Sequence, residues 1–310
     1  MDIKDCEQVN LNTGAGTMNV YNFSKVKRNI ADVSSHLRTW YSYVYEEEHI
    51  DREETDRLYM WIRNSRGEEK PKDRVMLLVG EAGSGKSVVM RDLLIRLEKE
   101  KIPVLGIKSD VVFSNKGDLD VMIGLEKPAT EIIKEYAEKS LVVVLIDQID
   151  ALSSVLTSDR GSLRSVNSFV EEISKYRNVR VVVSCRPYDQ QYDPSLERYG
   201  YGSRIQMDGL PLGKVDEILR IAEIQIEDNE QDVKEFLRNP LNLYLFCKVK
   251  NGRLFYKERP SRTLLYEALW RQVLIDGVQQ SEHTHEEKLT ESLDWMTTEM
   301  YEHQTLAISY

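Results

Sequence analysis

The stretch Gly80-Glu81-Ala82-Gly83-Ser84-Gly85-Lys86-Ser87 fits G-x-x-x-x-G-K-[ST] at every fixed position. Glycines at those places let the backbone turn tightly and aim successive N–H groups at phosphate oxygens. The lysine neutralises β and γ phosphates, and the final hydroxyl can ligate Mg²⁺. Candidate nucleotide contacts therefore run from Gly80 through Glu81, Ala82, Gly83, Ser84, Gly85, Lys86 and Ser87 to Val88, with Ser87 also a candidate metal ligand. A second group of chemistry-bearing residues is Asp147-Gln148-Ile149-Asp150, which follows the apolar run Leu141 to Ile146. Open α/β sheets place ligand chemistry at the carboxyl ends of their strands. There Asp147 can hold Mg²⁺ beside Ser87, directly or through water, and Asp150 can polarise an attacking water. A third candidate is Arg186 in Ser184-Cys185-Arg186-Pro187, again just past an apolar run, Val179 to Val183. A guanidinium in that place can reach a γ phosphate and report its presence. The competing readings are an ordinary helix cap for either aspartate and a surface salt bridge for Arg186.

These residues need elements to hold them. Arg74 to Val79 is a short β-rich run, and Ser87 to Lys101 carries apolar residues at helical spacing, so the glycine loop sits between a strand and a helix N-terminus. Ile102 to Ile107 reads as a second strand with Pro103 at its entrance. Continuous apolar character in Leu141–Ile146 and Val179–Val183 marks strands buried on both faces. Arg204 to Met207 reads as the last strand, preceded by a polar, tyrosine-rich loop over 189–203, while 108–130 reads as a loop with one short helix. Upstream, Val9–Leu11 and Met18–Tyr21 predict a hairpin, and Val26, Ile30, Val33, Leu37, Trp40 and Val44 predict one amphipathic helix closed by Glu46, Glu47 and Glu48. A further helix carries Leu58, Tyr59, Trp61 and Ile62. From Gly209 the pattern is helical, with Pro240 at a favourable first helical position. His283 and His285 stand two apart among acidic residues, a spacing that does not build a metal site on one helix face.

Composition bounds the function. The 310 residues carry 41% hydrophobic and 30% charged side chains, typical of a folded soluble chain of about two domains. No apolar run approaches the roughly 18 residues of a membrane span, and residues 1–22 do not resemble a signal peptide. Three scattered cysteines without a C-x-x-C pair predict a reduced, cytoplasmic setting. A net charge of −10 argues against a surface built mainly for nucleic acid.

In order and spacing, Gly80–Ser87, Ile146–Leu152, Ser184–Pro187 and Asn239-Pro240-Leu241 resemble the NACHT branch of the STAND signal-transduction ATPases, in a prokaryotic variant. The stretch His49 to Glu54 is similar to the arginine-bearing segment that precedes the ATPase core in that family. The resemblance implies an α/β, three-layer P-loop NTPase whose parallel sheet has the order 5-1-4-3-2, followed by an α-helical lid and the start of a winged helix. Boundaries follow as 1–73 for the N-terminal hairpin and helical segment, 74–208 for the core and 209–310 for the lid region. It further implies ATP or ADP with Mg²⁺ and slow hydrolysis, with Pro240 as an adenine-side contact and Asp147 as the second metal residue. Activation would proceed through a homo-oligomer, in antiviral defence or programmed cell death, without a membrane. Effector and sensor domains of the family are not visible, so the chain reads as part of a longer protein. Gln148 and Ala151 depart from the small-residue and Asp-Glu features usual after the metal aspartate, which leaves Asp150 as the candidate base. Two other functions remain open: a nucleotide-bound scaffold without turnover, and an AAA+-like ATPase acting on nucleic acid, which the charge and the missing Glu after Asp147 oppose.

Overall fold

The computed structural model describes residues 7–13, 16–22, 29–64, 70–109, 125, 127–152, 160–197, 203–226, 231–249 and 261–269. The chain divides into two compact units, residues 1–43 with 49–209, and residues 44–48 with 210–310.

In the first unit, β1 (Glu7–Thr13) and β2 (Gly16–Asn22) pair antiparallel with Val9 opposite Val20, the hairpin the alternation predicts. The single helix expected from Val26 to Val44 does not form. Instead α1 (Ile30–Val33) and α2 (Ser35–Arg38) are separate short helices, and Val44, assigned to the second unit, lies in a strand, β3 (Tyr43–Tyr45), paired with β4 (Glu48–His49). The cause is tertiary. Ser34, fully buried at the break, donates from Oγ to the carbonyls of Ile30 and Val104 and accepts from Gly106 N–H, so the chain is tied to a neighbouring strand. The next helix, α3 (Glu53–Arg63), buries Leu58 and Ile62 as expected.

The centre of the unit is a five-stranded parallel sheet. Its strands are β5 (Val75–Val79), β6 (Val104–Lys108), β7 (Val142–Asp147), β8 (Val179–Cys185) and β9 (Ser203–Gln206), in the spatial order β6-β7-β8-β5-β9. Counted within the sheet that is 2-3-4-1-5, the expected 5-1-4-3-2 read from the other edge. Every residue of β7 and β8 is buried, which explains their unbroken apolar sequence.

Strand alternation divides the core between the two faces of the sheet. On one face Leu77, Val79, Val144, Ile146, Val181 and Val183 pack with Ile133 of α5 (Ala129–Ala137) and with Val166, Phe169 and Ile173 of α6 (Arg160–Ile173). On the other, Met76, Leu78, Val143, Leu145 and Val182 meet Val89, Met90, Leu93, Leu94 and Leu97 of α4 (Lys86–Lys99) and Leu58 and Ile62 of α3. Each fully buried side chain of this kind contributes about 1.5–3 kcal/mol before conformational entropy is subtracted. The result is the three-layer α/β architecture expected of a P-loop NTPase.

The loop expected over 189–203 is instead partly helical. Its described part forms α7 (Pro187–Tyr192) and α8 (Pro194–Glu197), each opened by a proline, whose fixed φ and missing N–H suit a first helical position.

In the second unit α9 (Leu212–Ile221), α10 (Gln231–Leu237), α11 (Pro240–Lys248) and a helix over 262–269 follow one another. Asn239 caps α11 by accepting from Leu241 N–H, and Pro240 is its first residue. Asn242 then joins two helices, donating to Phe236 O and accepting from Arg262 Nε. The histidine pair 283/285, the helical pattern expected beyond residue 269 and the winged-helix start lie outside the described residues.

Candidate nucleotide site

The glycine loop leaves the end of β5 and enters α4. Gly83 and Gly85 hold φ of 78° and 94°, left-handed values that a side chain disfavours, and they turn the loop back toward the helix N-terminus. Gly80 is required for space, because a Cβ there would stand 2.6 Å from the Met207 Cβ and from Ser84 Oγ. Strand neighbours fix the loop's root: Gly80 N–H donates to Cys185 O on β8, and Met207 N–H donates to Val79 O. A 14-residue helix beginning in the loop presents its N-terminal N–H groups and dipole there, a ready anion site. Ser87 and Val88 lie half-buried in the first turn of α4, Glu81 is exposed, and Ala82 is half-buried.

Lys86 is 8% exposed, and its Nζ donates to the carbonyls of Gly80 at 2.6 Å and Glu81 at 3.1 Å. Burial pulls its ammonium below the ordinary lysine range, opposed by the nearby carboxylates of Asp150 and Asp147. The loop, both aspartates and Arg186 therefore share one electrostatic neighbourhood.

Asp147 is fully buried at the tip of β7. Its Oδ1 accepts a hydrogen bond from Ser184 Oγ on β8, while its Oδ2 is buried and has no hydrogen-bond partner. An orphaned buried carboxylate oxygen is costly and calls for a cation or a donor. Together with the Ser87 hydroxyl it makes the all-oxygen donor set that suits Mg²⁺, so the residues present fit that ion. Gln148 follows with φ of 58°, unusual for a residue other than glycine, and its N–H donates to Ser184 Oγ at 2.8 Å.

Asp150 lies in a 3₁₀ turn (Ile149–Leu152) and is buried. Its Oδ2 pairs with Arg186 Nε at 3.0 Å, and its Oδ1 is buried without a partner. The two sides of this pair differ in exposure, 3% for the Asp150 side chain and 47% for Arg186. Burial pushes the Asp150 carboxyl above the ordinary aspartate range in spite of Arg186 and Lys86. Asp189, one turn beyond Arg186, is likewise pushed up by burial. Burial also raises the Cys185 thiol well above the usual range, which makes it inert.

The fold thus gathers Lys86, Asp147, Asp150 and Arg186, taken from a loop and two strand tips far apart in sequence. Pro240 stands in the other compact unit, as the first residue of α11. Sequence reasoning gave no role to Ser184, although it stands in the Ser-Cys-Arg-Pro stretch, nor to Glu54. Glu54 is buried beside Arg52, with Arg52 Nη2–Glu54 Oε1 at 2.8 Å and Arg52 Nε–Glu54 Oε2 at 3.1 Å.

Residues 76–207 match the AAA family, described as ATPases associated with various cellular activities. With the glycine loop and the sheet that carries it, this match makes the segment a P-loop ATPase domain whose ligands are ATP or ADP with Mg²⁺. A sequence search of curated proteins finds no match. Among solved structures, the chain is similar to a Walker-type ATPase of Pyrococcus abyssi, at 15% identity over 81% of each chain with a TM-score of 0.46. It is also similar to domain III of the replication initiation protein DnaA of Thermotoga maritima, at 14% identity over 72% of this chain and 93% of that one, TM-score 0.42. A third similar structure is AMPPCP-bound DnaA from Aquifex aeolicus, at 14% identity over 83% and 74%, TM-score 0.44. Among the described residues no helix is long and apolar enough to cross a membrane.

Proposed function

We propose that this ATPase domain is a molecular switch that oligomerises on sensing a trigger, and that Asp150 and Arg186 form the switch contact. The observation that carries this reading is their ion pair at 3.0 Å within the electrostatic neighbourhood of Lys86. While paired, Arg186 engages one of the two Asp150 oxygens. A γ phosphate competes for the guanidinium, which is half exposed and free to reorient at small cost, whereas ADP offers no such group. Losing Arg186 leaves Asp150 as a buried carboxylate that burial already holds above the ordinary aspartate range, the direction of change that makes a carboxylate a better general base. Lys86, now bonded to loop carbonyls, exchanges them for phosphate oxygens. Ser87 and Asp147 hold Mg²⁺, which when bound neutralises phosphate charge. Pro240 is proposed as an adenine-side contact on the strength of the family resemblance. The NACHT/STAND assignment and a role in antiviral defence or programmed cell death rest on that resemblance as well, through the four motifs named above.

Asp150→Asn tests the reading. It keeps the size of the side chain, removes the base and leaves Asp147 in place, so ATP should bind while phosphate release falls by about 10² to 10⁴. Size-exclusion profiles with ATP and Mg²⁺ should then show a longer-lived assembly than the wild type. Unchanged hydrolysis would remove Asp150 from the mechanism. A wild type without turnover would leave a nucleotide-bound scaffold.

A further inference from the structure

We infer that His49 is a proton-operated latch, whose imidazolium ties the strand pair β3–β4 to α4, the helix that begins in the glycine loop. At this strand pair the chain passes from the first compact unit into residues 44–48, which belong with the second, and returns at His49.

Both ring nitrogens of the half-buried His49 face oxygen. Nδ1 stands 3.2 Å from Ser42 O, at the foot where the chain leaves the first unit. A carbonyl can only accept, so Nδ1 carries a hydrogen there. Nε2 stands 3.1 Å from Asp92 Oδ2 on α4 and 3.7 Å from Asp51 Oδ1. A neutral ring with its hydrogen on Nδ1 would turn a bare lone pair toward these carboxylates and be repelled. With a second hydrogen on Nε2 the ring is a cation that fastens both feet of the strand pair, Ser42 and its own, to the helix. The Asp92 oxygens are divided between two cations: Oδ1 accepts from Arg91 Nη1 at 2.8 Å, and Oδ2 faces His49. Burial pushes the Asp92 carboxyl above the ordinary aspartate range, opposed by His49 and Arg91. Asp51 is fully exposed, so water screens it, and Asp92 is the partner that holds the ring. The charged groups around the ring are thus Asp92 and Arg91 on α4 and Asp51 in its own segment, with a neutral carbonyl from Ser42. All of these residues lie in the first unit. Imidazole is the side chain that ordinarily changes charge between about pH 5 and 8, so the latch holds at the acid end of that window and opens as the second proton leaves.

The test is hydrogen exchange of the whole chain at about pH 5.5 and pH 8.5, read by mass spectrometry in peptides covering residues 43–48. Rates are expressed as protection relative to the unstructured chain at the same pH, with peptides from β7 as the reference. The wild-type strand pair should lose about two- to fivefold of its protection between the two pH values, the size of effect expected for a partly exposed ion pair, while β7 stays constant. His49→Gln and Asp92→Asn should each show the low, alkaline level of protection at both pH values, and the double variant should fall no lower than either single one. Asp51→Asn should keep the wild-type profile. Equal protection of the wild type at both pH values overturns the inference, as does a pH dependence that survives in His49→Gln or Asp92→Asn. Protection lost together with that of β7 reports general unfolding and overturns it too, and a profile abolished by Asp51→Asn overturns the assignment to Asp92. Where circular dichroism shows that one of the two latch variants does not fold, the other decides alone.

Discussion

Arg186 and Asp150 lose unequally when they are parted. Without Arg186, a buried carboxylate is left between the attraction of Lys86 and the repulsion of Asp189; without the Asp150 charge, a guanidinium already 47% exposed turns to water. Removing the cation should therefore cost more than neutralising the anion. At neutral pH we expect Arg186→Ala to lower stability by about 1–2 kcal/mol, and Asp150→Asn to be neutral or mildly stabilising. The pH dependence follows from the direction of the shift. A carboxyl whose folded pKa is raised favours the folded state when protonated, so its contribution is fully present below the ordinary 3.8 and is lost as pH rises through the raised value. The Arg186→Ala deficit should accordingly narrow on acidification through that window, read by urea unfolding at pH 7 and at successively lower pH. A deficit independent of pH would dissociate it from Asp150 ionisation. Lys86, Ser87 and Asp147 were legible in the sequence because a contiguous motif and an apolar strand announce them. The pairing of Asp150 with Arg186 was not, since it depends on β7 and β8 becoming neighbours, and neither was Ser184, because a buried serine carries no periodic signal.

Elements meet at the start of α3. Arg52 Nη2 donates to Asp208 O, Glu54 Oε1 accepts from Asp208 N–H at 2.9 Å, and Arg52 also reaches Ser84 O in the glycine loop at 3.5 Å. Two buried charges thus fasten the segment before the core to the loop and to the chain leaving β9. Burial works to raise the Glu54 pKa, but Arg52 and the Asp208 N–H together hold it below the ordinary range. Glu54→Gln should leave Arg52 buried and uncompensated at a cost of about 3 kcal/mol near neutral pH. Because a depressed carboxyl stabilises the fold above its unfolded value of 4.5 and loses that contribution as pH falls through the folded value, the variant should also be less acid-sensitive than wild type. Denaturant midpoints across pH 3–7 (roughly the window of ordinary carboxylate titration) measure both effects, and an unchanged midpoint would show that the clamp carries no stability. The strands of the sheet were readable from their apolar runs, and α3 and α4 from their helical spacing. The break at Ser34 was not, because a periodic apolar stripe contains no trace of a hydroxyl's bonds to β6 across 70 and 72 residues of sequence.

For the whole molecule, ligand binding is a stability measurement. Nucleotide that binds only the folded state should stabilise by about 2.7 kcal/mol at 100 times its Kd. Thermal melts with and without ATP and Mg²⁺ should show this shift for wild type and lose it in Lys86→Ala, with the ligand-free melts of the two proteins alike. An equal shift in both would place the nucleotide elsewhere. The sheet order carries a further consequence, for synthesis. The strand that roots the glycine loop leaves the ribosome first of the five, yet its partners are late: Val75 pairs with Val181, and Met76 with Ser203. At about 5–20 residues per second the ribosome needs roughly 5–20 s to make the hundred-odd residues between them. During that interval the loop has neither Cys185 O nor the Val79–Met207 bond to brace it, so the phosphate cradle cannot take its native bracing until β8 and β9 have been made.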